Sequence, residues 1–227
     1  MTTVFPPVSM ITLPVVGRAE RFPVARVFCV GRNYEAHVRE MGADTREAPF
    51  FFMKPASAVV EDGARIAYPP RSADVHHEIE LVVALGSGGV NIPVTEALGH
   101  VFGYGVGLDL TRRDLQGEMK ASGRSWEIGK VFDGAAPVSA IRAKSEVPSV
   151  AEGRISLEVN GQLRQDGNLH ELIWSVEEVI AELSTYFTLQ PGDLIFTGTP
   201  AGVGPIARGD RLTGKVDGVG SLTITVA

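Results

Sequence analysis

The sequence predicts a β-rich α+β domain, folded as a sandwich or a roll. Short apolar or alternating runs with the composition of strands recur along most of the chain, whereas helical periodicity is found in few places. Asn160 and Gly161 separate two alternating stretches and predict a tight hairpin, because both central positions of a type I′ turn need a positive φ. The spacing does not favour a doubly wound parallel sheet, in which strands and helices would alternate.

The predicted strands are short and numerous. Each is a run of β-branched, aromatic or other apolar residues bounded by turn-forming residues. In chain order they cover residues 26–30, 50–54, 78–85, 101–110, 154–159, 162–165, 193–198 and 221–226.

Helical patterns occur at three places. A short helix is predicted over residues 34–41, where Asn33 is able to cap its start. A second helix follows Thr111 and continues to residue 120. The third opens on a capping-box pattern at Ser175 and continues to about residue 187.

The charge and cysteine content exclude several classes of partner and location. The net charge of −6 argues against a nucleic-acid backbone or an anionic membrane surface. No apolar run approaches the ~18 residues of a membrane span, and the N-terminus does not resemble a signal peptide. The single cysteine, Cys29, excludes an internal disulfide and fits a reducing compartment, so we expect a cytoplasmic protein.

Glu78 and Glu80 occupy alternate positions at the start of a predicted strand, so their carboxylates share one face beside an apolar run. They are either hydrated at a strand end, which the pattern alone favours, or neutralised by a cation. Asp109 ends a glycine-rich strand, where it would complete a metal site or cap the following helix. Three carboxylates without a cysteine suit Mg²⁺ or Mn²⁺ before Ca²⁺.

Other polar residues have patterns that fit catalysis. His37 and Glu40 stand three apart, where the carboxylate would orient the imidazole as a general base, although a surface ion pair has the same spacing. Lys54 and Lys130 each follow an apolar segment. Either lysine would bind a substrate carboxylate or offset developing negative charge, or simply extend to solvent.

Taken in order, these segments resemble the fumarylacetoacetate hydrolase family. The likeness covers about residues 25–226, and its motifs are specific jointly rather than singly. The motifs that carry it are Cys29-Val30-Gly31-Arg32-Asn33-Tyr34 with His37 and Glu40, Phe52-Met53-Lys54-Pro55, His77-Glu78-Ile79-Glu80, Gly107-Leu108-Asp109-Leu110-Thr111 with Arg113, Asp114 and Gln116, Gly129-Lys130, Asn160-Gly161, and Thr197-Gly198-Thr199-Pro200 with Gly202-Val203-Gly204.

The resemblance implies a mixed β-sandwich roll of the C-terminal domain type of that family, at residues 25–227. Residues 1–24, with four prolines, are expected to form an N-terminal arm or a first strand. The resemblance also implies a homodimer. The site residues it implies are Glu78, Glu80 and Asp109 as ligands of a divalent metal, usually Mg²⁺ with Mn²⁺ or Ca²⁺ as alternatives, the pair His37 and Glu40 on a segment able to act as a lid, Lys130 as the catalytic lysine, and Arg32, Tyr34, Lys54, Gln116 and Thr199 as substrate-binding residues.

The chain length resembles the short acylpyruvase and fumarylpyruvate hydrolase branch of the family. The expected reaction is hydrolysis of a carbon–carbon bond in a β-diketo acid, with fumarylpyruvate giving fumarate and pyruvate. Decarboxylation of oxaloacetate or another β-keto acid, and isomerisation of an unsaturated dicarboxylate, are alternatives on the same metal site. A non-enzymatic metal-binding module is disfavoured because it would not need His37, Glu40 and Lys130 near the metal.

Overall fold

The computed structural model describes residues 3–7, 9–34 and 47–227. His37, Glu40 and nearly all of the helix predicted over residues 34–41 lie outside the described residues. Asn33, the expected cap of that helix, uses its side-chain amide to donate to the carbonyl oxygens of Trp174 and Thr197.

The described residues form many short strands and a few helices. The strands are β1 (Thr12–Pro14), β2 (Arg21–Pro23), β3 (Val27–Gly31), β4 (Phe50–Lys54), β5 (Val59–Glu61), β6 (Arg65–Ile66), β7 (Val75–His77), β8 (Ile79–Leu85), β9 (Val101–Leu108), β10 (Thr111–Arg112), β11 (Ala136–Val138), β12 (Arg142–Ala143), β13 (Arg154–Val159), β14 (Gln162–Asn168), β15 (Leu194–Phe196), β16 (Gly204–Ile206), β17 (Arg211–Val216) and β18 (Gly220–Val226). The α-helices are α1 (Val94–Ala97), α2 (Arg113–Ala121), α3 (Glu127–Lys130) and α4 (Val176–Tyr186), and short 3₁₀ turns cover Ala56–Ala58, Leu98–His100, Lys144–Glu146 and Leu169–Glu171.

Two larger sheets dominate the described fold. One has the strand order β4-β3-β15-β8-β9-β11-β5, with β12 also paired to β9, and the other has the order β14-β13-β17-β18-β6. The first sheet is mixed, because β15 runs parallel to β3 and antiparallel to β8. A three-stranded sheet, β10-β7-β16, and the pair β1-β2 complete the arrangement. The predicted β-rich α+β class with a mixed sheet is confirmed.

The hydrophobic core lies where the two larger sheets face each other. Every residue of β8 is buried. Gly214 on β17 allows close packing at this point, since a Cβ added there would lie 2.4 Å from Cδ1 of Ile79 and 3.5 Å from Cγ1 of Val106. A larger residue at position 214 would therefore require the Ile79 side chain to move where β17 crosses β8 and β9.

The local predictions agree with the structure at the hairpin and at the last helix. Asn160 and Gly161 have φ of 53° and 76° and connect β13 to β14. The side chain of Ser175 accepts a hydrogen bond from the Glu178 N–H, and the Glu178 side chain accepts one from the Ser175 N–H, so both halves of the capping box form at α4.

The N-terminal segment contains two paired strands. Leu13 on β1 and Phe22 on β2 lie opposite each other and are buried in the same core as the larger sheets. Val15 forms a bridge with Ile141 beyond β1. No helix in the described ranges is long and apolar enough to cross a membrane.

Candidate active site

Three acids that are separated in sequence meet at one end of the antiparallel pair β8–β9. Ile79 lies opposite Leu108, so the start of β8 adjoins the end of β9. The Asp109 N–H donates to the Glu78 carbonyl oxygen across a 2.9 Å distance, which brings the two side chains together. One carboxylate oxygen from each of Glu78, Glu80 and Asp109 lies within 4.8 Å of the others, and all three residues are buried.

The surroundings of these oxygens suit a divalent cation. Within the described part of the chain, Oδ1 of Asp109 is buried and makes no hydrogen bond, and it forms an ion pair with Nζ of Lys54 at 2.8 Å. Oε2 of Glu80 accepts a hydrogen bond of 2.7 Å from the Gly198 N–H. Burial, reinforced by the Asp109 and Glu78 charges, raises the pKa of Glu80 well above its usual range. A dication would offset this repulsion, and carboxylate oxygens are the ligands that Mg²⁺ and Mn²⁺ prefer.

Two buried lysines lie against the acids. Nζ of Lys130, at the end of α3, is 2.8 Å from Oε2 of Glu78 and 2.7 Å from Oδ2 of Asp109. Nζ of Lys54, at the end of β4, donates to the carbonyl oxygens of Leu110 and Lys130 besides contacting Asp109. Lys130 thus donates two hydrogen bonds to acids of the proposed metal site, and its ammonium group has a third N–H.

Charge pairing sets the protonation of Glu78 and Lys130. Burial would raise the pKa of Glu78, but the charges of Lys130 and Arg113 outweigh it and hold that pKa at about 2. Burial would likewise lower the pKa of Lys130, and the Asp109 and Glu78 carboxylates reverse the effect and raise it. Glu78 is therefore ionised and Lys130 protonated at neutral pH.

Arg113 and Gln116 form the helical side of the site. Arg113 donates to Oε1 of Glu78 and, at 2.7 Å, to Oε1 of Gln116 one turn later on α2. Gln116 is buried and lines the cleft. The sequence gives Arg113 no role beyond its place in a motif; its spacing of three from Gln116 on a predicted helix is the signal that points to it.

The acids open into a cleft with one aromatic wall. Phe50 and Phe52 come from β4, and Trp126 precedes α3. The Trp126 ring is perpendicular to Phe50 at a centroid distance of 5.9 Å and lies 5.2 Å from Phe52. These three rings give the cleft a rigid apolar side opposite its charged floor.

Gln165 ties the cleft-lining Thr199 to the strands that carry the glutamates. The N–H of Ile79 can only donate and the carbonyl of Pro200 can only accept, so Oε1 of Gln165 accepts from Ile79 at 3.1 Å and Nε2 donates to Pro200 at 2.9 Å. Nδ1 of His77 then donates to the same Oε1 at 2.8 Å. Nε2 of Gln165 donates to Oγ1 of Thr199 at 2.8 Å. Because Thr199 accepts this bond, its own hydroxyl hydrogen remains available to the cleft.

His77 is buried and lies next to Glu78 in the sequence, but it is not part of the candidate metal-binding group. Burial lowers the pKa of His77 although its hydrogen bond to Gln165 opposes the shift. The imidazole is therefore neutral at neutral pH. Gln165 is fully buried on β14, and a polar residue on the inward face of a strand is the only sequence signal that would have singled it out.

The structure brings most of the expected substrate-binding residues to the cleft. Arg32, Gln116 and Thr199 line it, as does Lys130. Arg32 has a φ of 59°, a left-handed conformation that is strained for a residue with a Cβ.

Two expected substrate-binding residues lie behind the cleft surface. Lys54 is 1% exposed and contacts Asp109 from below. Tyr34 is also 1% exposed, and its hydroxyl has no hydrogen-bond partner among the residues that the structure describes. Burial and the charge of Glu80 raise the pKa of Tyr34. Neither side chain is among the residues that line the cleft.

Comparison with known proteins identifies the family. Residues 26–227 match the family model described as the fumarylacetoacetate hydrolase C-terminal domain. The chain belongs to the fumarylacetoacetate hydrolase family. The predicted family and its fold type are therefore confirmed, and the three acids are the candidate metal centre of this family member.

Relatives of the chain include two kinds of enzyme. A fumarylpyruvate hydrolase from Ralstonia sp is 47% identical over 180 residues, which are 79% of this chain and 93% of the relative. A mitochondrial oxaloacetate tautomerase from Mus musculus is 42% identical over 200 residues, which are 88% of this chain and 90% of the relative.

Solved structures of the family include a close match to this fold. The fumarylpyruvate hydrolase from Pseudomonas aeruginosa, in complex with Mn²⁺ and pyruvate, is 50% identical with a TM-score of 0.97. The alignment covers 100% of this chain and 99% of that one. A divalent metal, as predicted from the sequence, is supported by that complex together with the acidic cluster.

Proposed function

We propose that this chain is a metal-dependent hydrolase that cleaves the carbon–carbon bond of a β-diketo acid, with fumarylpyruvate as its substrate and fumarate and pyruvate as products. The observation that carries the proposal is the convergence of Glu78, Glu80 and Asp109 at the floor of a cleft that Lys130 and Thr199 also line. The 50% identity to a fumarylpyruvate hydrolase that binds Mn²⁺ and pyruvate supports it.

Glu78, Glu80 and Asp109 would hold Mg²⁺ or Mn²⁺, with Ca²⁺ as a third candidate, and the ion would supply Lewis acidity toward the 2-oxo acid end of the substrate. Lys130 keeps two of these acids in place through its hydrogen bonds. Its third N–H, together with the Gln116 amide, would stabilise negative charge on the distal carbonyl oxygen. Thr199 would donate its hydroxyl hydrogen to a substrate oxygen.

The proposed hydrolysis adds water to the distal carbonyl and then breaks the adjacent carbon–carbon bond. His37, oriented by Glu40, takes a proton from water, and the water oxygen bonds to the distal carbonyl carbon. The bond from that carbon to the methylene carbon breaks, and its electron pair moves to the pyruvate half. His37 then returns its proton to the methylene carbon, which completes pyruvate, while the acyl half leaves as fumarate after its new carboxyl group releases a proton to solvent.

A substrate panel tests the proposed hydrolysis. Fumarylpyruvate, acetylpyruvate, fumarylacetoacetate and oxaloacetate are compared with Mg²⁺ and with Mn²⁺, following the loss of diketo-acid absorbance for the first three and the absorbance of oxaloacetate itself for the fourth. We expect metal-dependent hydrolysis of fumarylpyruvate and loss of at least about 100-fold in kcat for His37→Ala, since general base catalysis contributes about 10²–10⁴-fold. Near-normal turnover by that variant would show that His37 is not the base.

Conversion of oxaloacetate is the second candidate, favoured by the 42% identity to the mouse oxaloacetate tautomerase. Tautomerisation, like the decarboxylation considered from the sequence, needs no activated water. We therefore expect His37→Ala to reduce hydrolysis more than decarboxylation. A chain that converts oxaloacetate rapidly but leaves fumarylpyruvate intact would establish the second candidate instead.

We also infer a homodimer located in the cytoplasm. Among the described strands, β4 is at an edge of the large sheet; Phe50 on β4 is 38% exposed, and Tyr186 and Phe187 nearby are 62% and 37% exposed. Such an exposed aromatic edge favours association with a second copy. Light scattering after gel filtration should give twice the chain mass, and Tyr186→Glu should lower it.

The unpaired, buried Cys29 is consistent with a reducing compartment, which supports the cytoplasmic location.

A further inference from the structure

The charged residues that line the cleft are unequal in number. Four are basic and three are acidic, and the three acids are the candidate metal ligands. A bound dication would leave three positive charges in excess. Two of the four basic residues, Lys130 and Arg113, lie at the deep end of the cleft and are paired with Glu78.

The other two basic residues, Arg32 and Lys120, have no acidic partner within the described ranges. Each lies against an aromatic ring of the cleft wall. Cζ of Arg32 is 5.8 Å from the Phe50 ring centroid, and Nζ of Lys120 is 5.5 Å from that of Trp126. Stacking on a ring restrains a long side chain without neutralising it. Both charges therefore remain available at the outer part of the cleft.

These cations also repel one another. Partial burial lowers the pKa of Lys120, and the positive charges of Arg113, Arg32 and Lys130 lower it further. Placing like charges around one cavity is unfavourable unless an anion occupies it. The cleft is thus arranged to bind a ligand that carries more negative charge than the 2-oxo acid end alone.

We propose that Arg32 and Lys120 form a binding site for a second substrate carboxylate, located on the acyl group away from the 2-oxo acid end. This proposal rests on the proposed function. It adds that the preferred acyl group ends in a carboxylate. Arg113 is unsuited to this task, since its hydrogen bonds go to Glu78 and Gln116.

The charge balance agrees with a dicarboxylate. An acylpyruvate with a neutral acyl group brings one carboxylate, and its departing enolate brings one more negative charge. A fumaryl group adds a third negative charge, which Arg32 and Lys120 at the outer part of the cleft are placed to offset. The wall of Phe50, Phe52 and Trp126 would pack against the flat, conjugated carbon chain between the two ends.

The test compares two substrates that differ in the distal carboxylate. For Lys120→Met and Arg32→Met, kcat/KM for fumarylpyruvate should fall about tenfold or more relative to kcat/KM for acetylpyruvate, as expected for loss of a charged hydrogen bond. Lys120→Arg and Arg32→Lys should restore most of the ratio. At position 32 the methionine and lysine variants have the same left-handed backbone strain, so their difference reports the charge alone.

Arg124→Met is the matched control, because Arg124 lies near Trp126 but lines a separate groove outside the cleft. It should leave the ratio unchanged. Equal losses on both substrates for the Lys120 and Arg32 variants would overturn the proposal. So would a ratio that falls as far in Arg124→Met as in Lys120→Met, since that would indicate a general surface-charge effect.

A binding measurement separates failure of the subsite from failure of the proposed function. If the wild-type chain hydrolyses neither acylpyruvate, the proposed function is wrong, and calorimetry of the Mn²⁺-loaded protein with fumarate and crotonate still tests the subsite. Both probes have the same carbon skeleton, and fumarate alone has two carboxylates. The subsite predicts that fumarate binds more tightly and that Lys120→Met removes the difference. A difference that survives in that variant would contradict it.

Discussion

A single residue separates Glu78 from Glu80, yet their carboxylates have opposite electrostatic surroundings. Glu78 contacts the cations Lys130 and Arg113, whereas Glu80 accepts a hydrogen bond from the Gly198 N–H and faces Asp109. The first carboxylate is stabilised by side chains of the protein. The second is the carboxylate whose negative charge a bound metal ion would stabilise most.

Gln165 is expected to act on activity through Thr199. Gln165→Met would leave the Ile79 N–H unpaired and should cost about 1–3 kcal/mol of stability, measured by urea unfolding. It should also lower kcat/KM for fumarylpyruvate, because the Thr199 hydroxyl loses the bond that orients it.

A double-mutant cycle separates this positioning role from a general loss of structure. If Gln165 acts through Thr199, replacing both residues, with Thr199→Val, should reduce kcat/KM no further than Thr199→Val alone. Additive losses would show that Gln165 affects activity by another route.

At the scale of elements, one ion pair fixes the junction of β3 and β15. Arg26 precedes β3 and binds both carboxylate oxygens of Asp193, at 2.9 and 2.6 Å, just before β15. The Asp193 side chain is fully buried and also accepts from the Gln190 N–H. The pair therefore sets where two parallel strands begin, although 167 residues separate its members.

Arg26→Met should destabilise the fold by about 3 kcal/mol, because it leaves the buried Asp193 carboxylate without its counter-ion. Thermal or urea unfolding measures the loss. Arg154→Met is the matched control, since Arg154 and Asp166 form an ion pair at the surface and its loss should change stability little. Equal effects of the two substitutions would contradict the assigned role of Arg26.

Local patterns predicted elements where the cause was local. The cap at Ser175 and the turn at Asn160 and Gly161 depend on neighbouring residues, and both formed as expected. The strand expected over 193–198 ends at Phe196, because the backbone of Gly198 turns into a positive φ of 102°. The strand expected over 162–165 continues to Asn168, through pairing with β13 that the local sequence does not reveal.

The sequence predicted some residues of the site and missed others. The spacing of Glu78 and Glu80 suggested paired carboxylates, but only the family resemblance favoured metal binding over hydration. Gln165 was missed because its partners lie 34 and 86 residues away. Lys120 was missed because a lysine near the end of an amphipathic helix is expected simply to face solvent, and the local sequence does not reveal that it also lines the cleft.

For the whole molecule, metal binding should raise thermal stability. A ligand that binds only the folded state at 100 times its Kd adds about 2.7 kcal/mol. For a chain of this size that corresponds to a rise in Tm of roughly 5–10 °C. We expect Mn²⁺ or Mg²⁺ to produce such a rise and EDTA to reverse it.

Glu80→Gln should abolish that rise, because an amide replaces the candidate ligand whose charge a cation would stabilise most. Glu118→Gln serves as control, since Glu118 is exposed on α2 and lies outside the cleft lining. Retention of the full metal-dependent shift by Glu80→Gln would exclude this residue as a ligand.

The bond from the Gly198 N–H to Glu80 spans 118 residues, and it has a consequence for biosynthesis. While the ribosome is still translating the chain, Glu78, Glu80 and Asp109 emerge well before the segment that encloses them. A nascent polypeptide that ends before Leu194 lacks both that N–H and β15, the strand between β3 and β8. Prematurely terminated products should therefore be unable to retain the ion, and loading with metal becomes a late event in maturation.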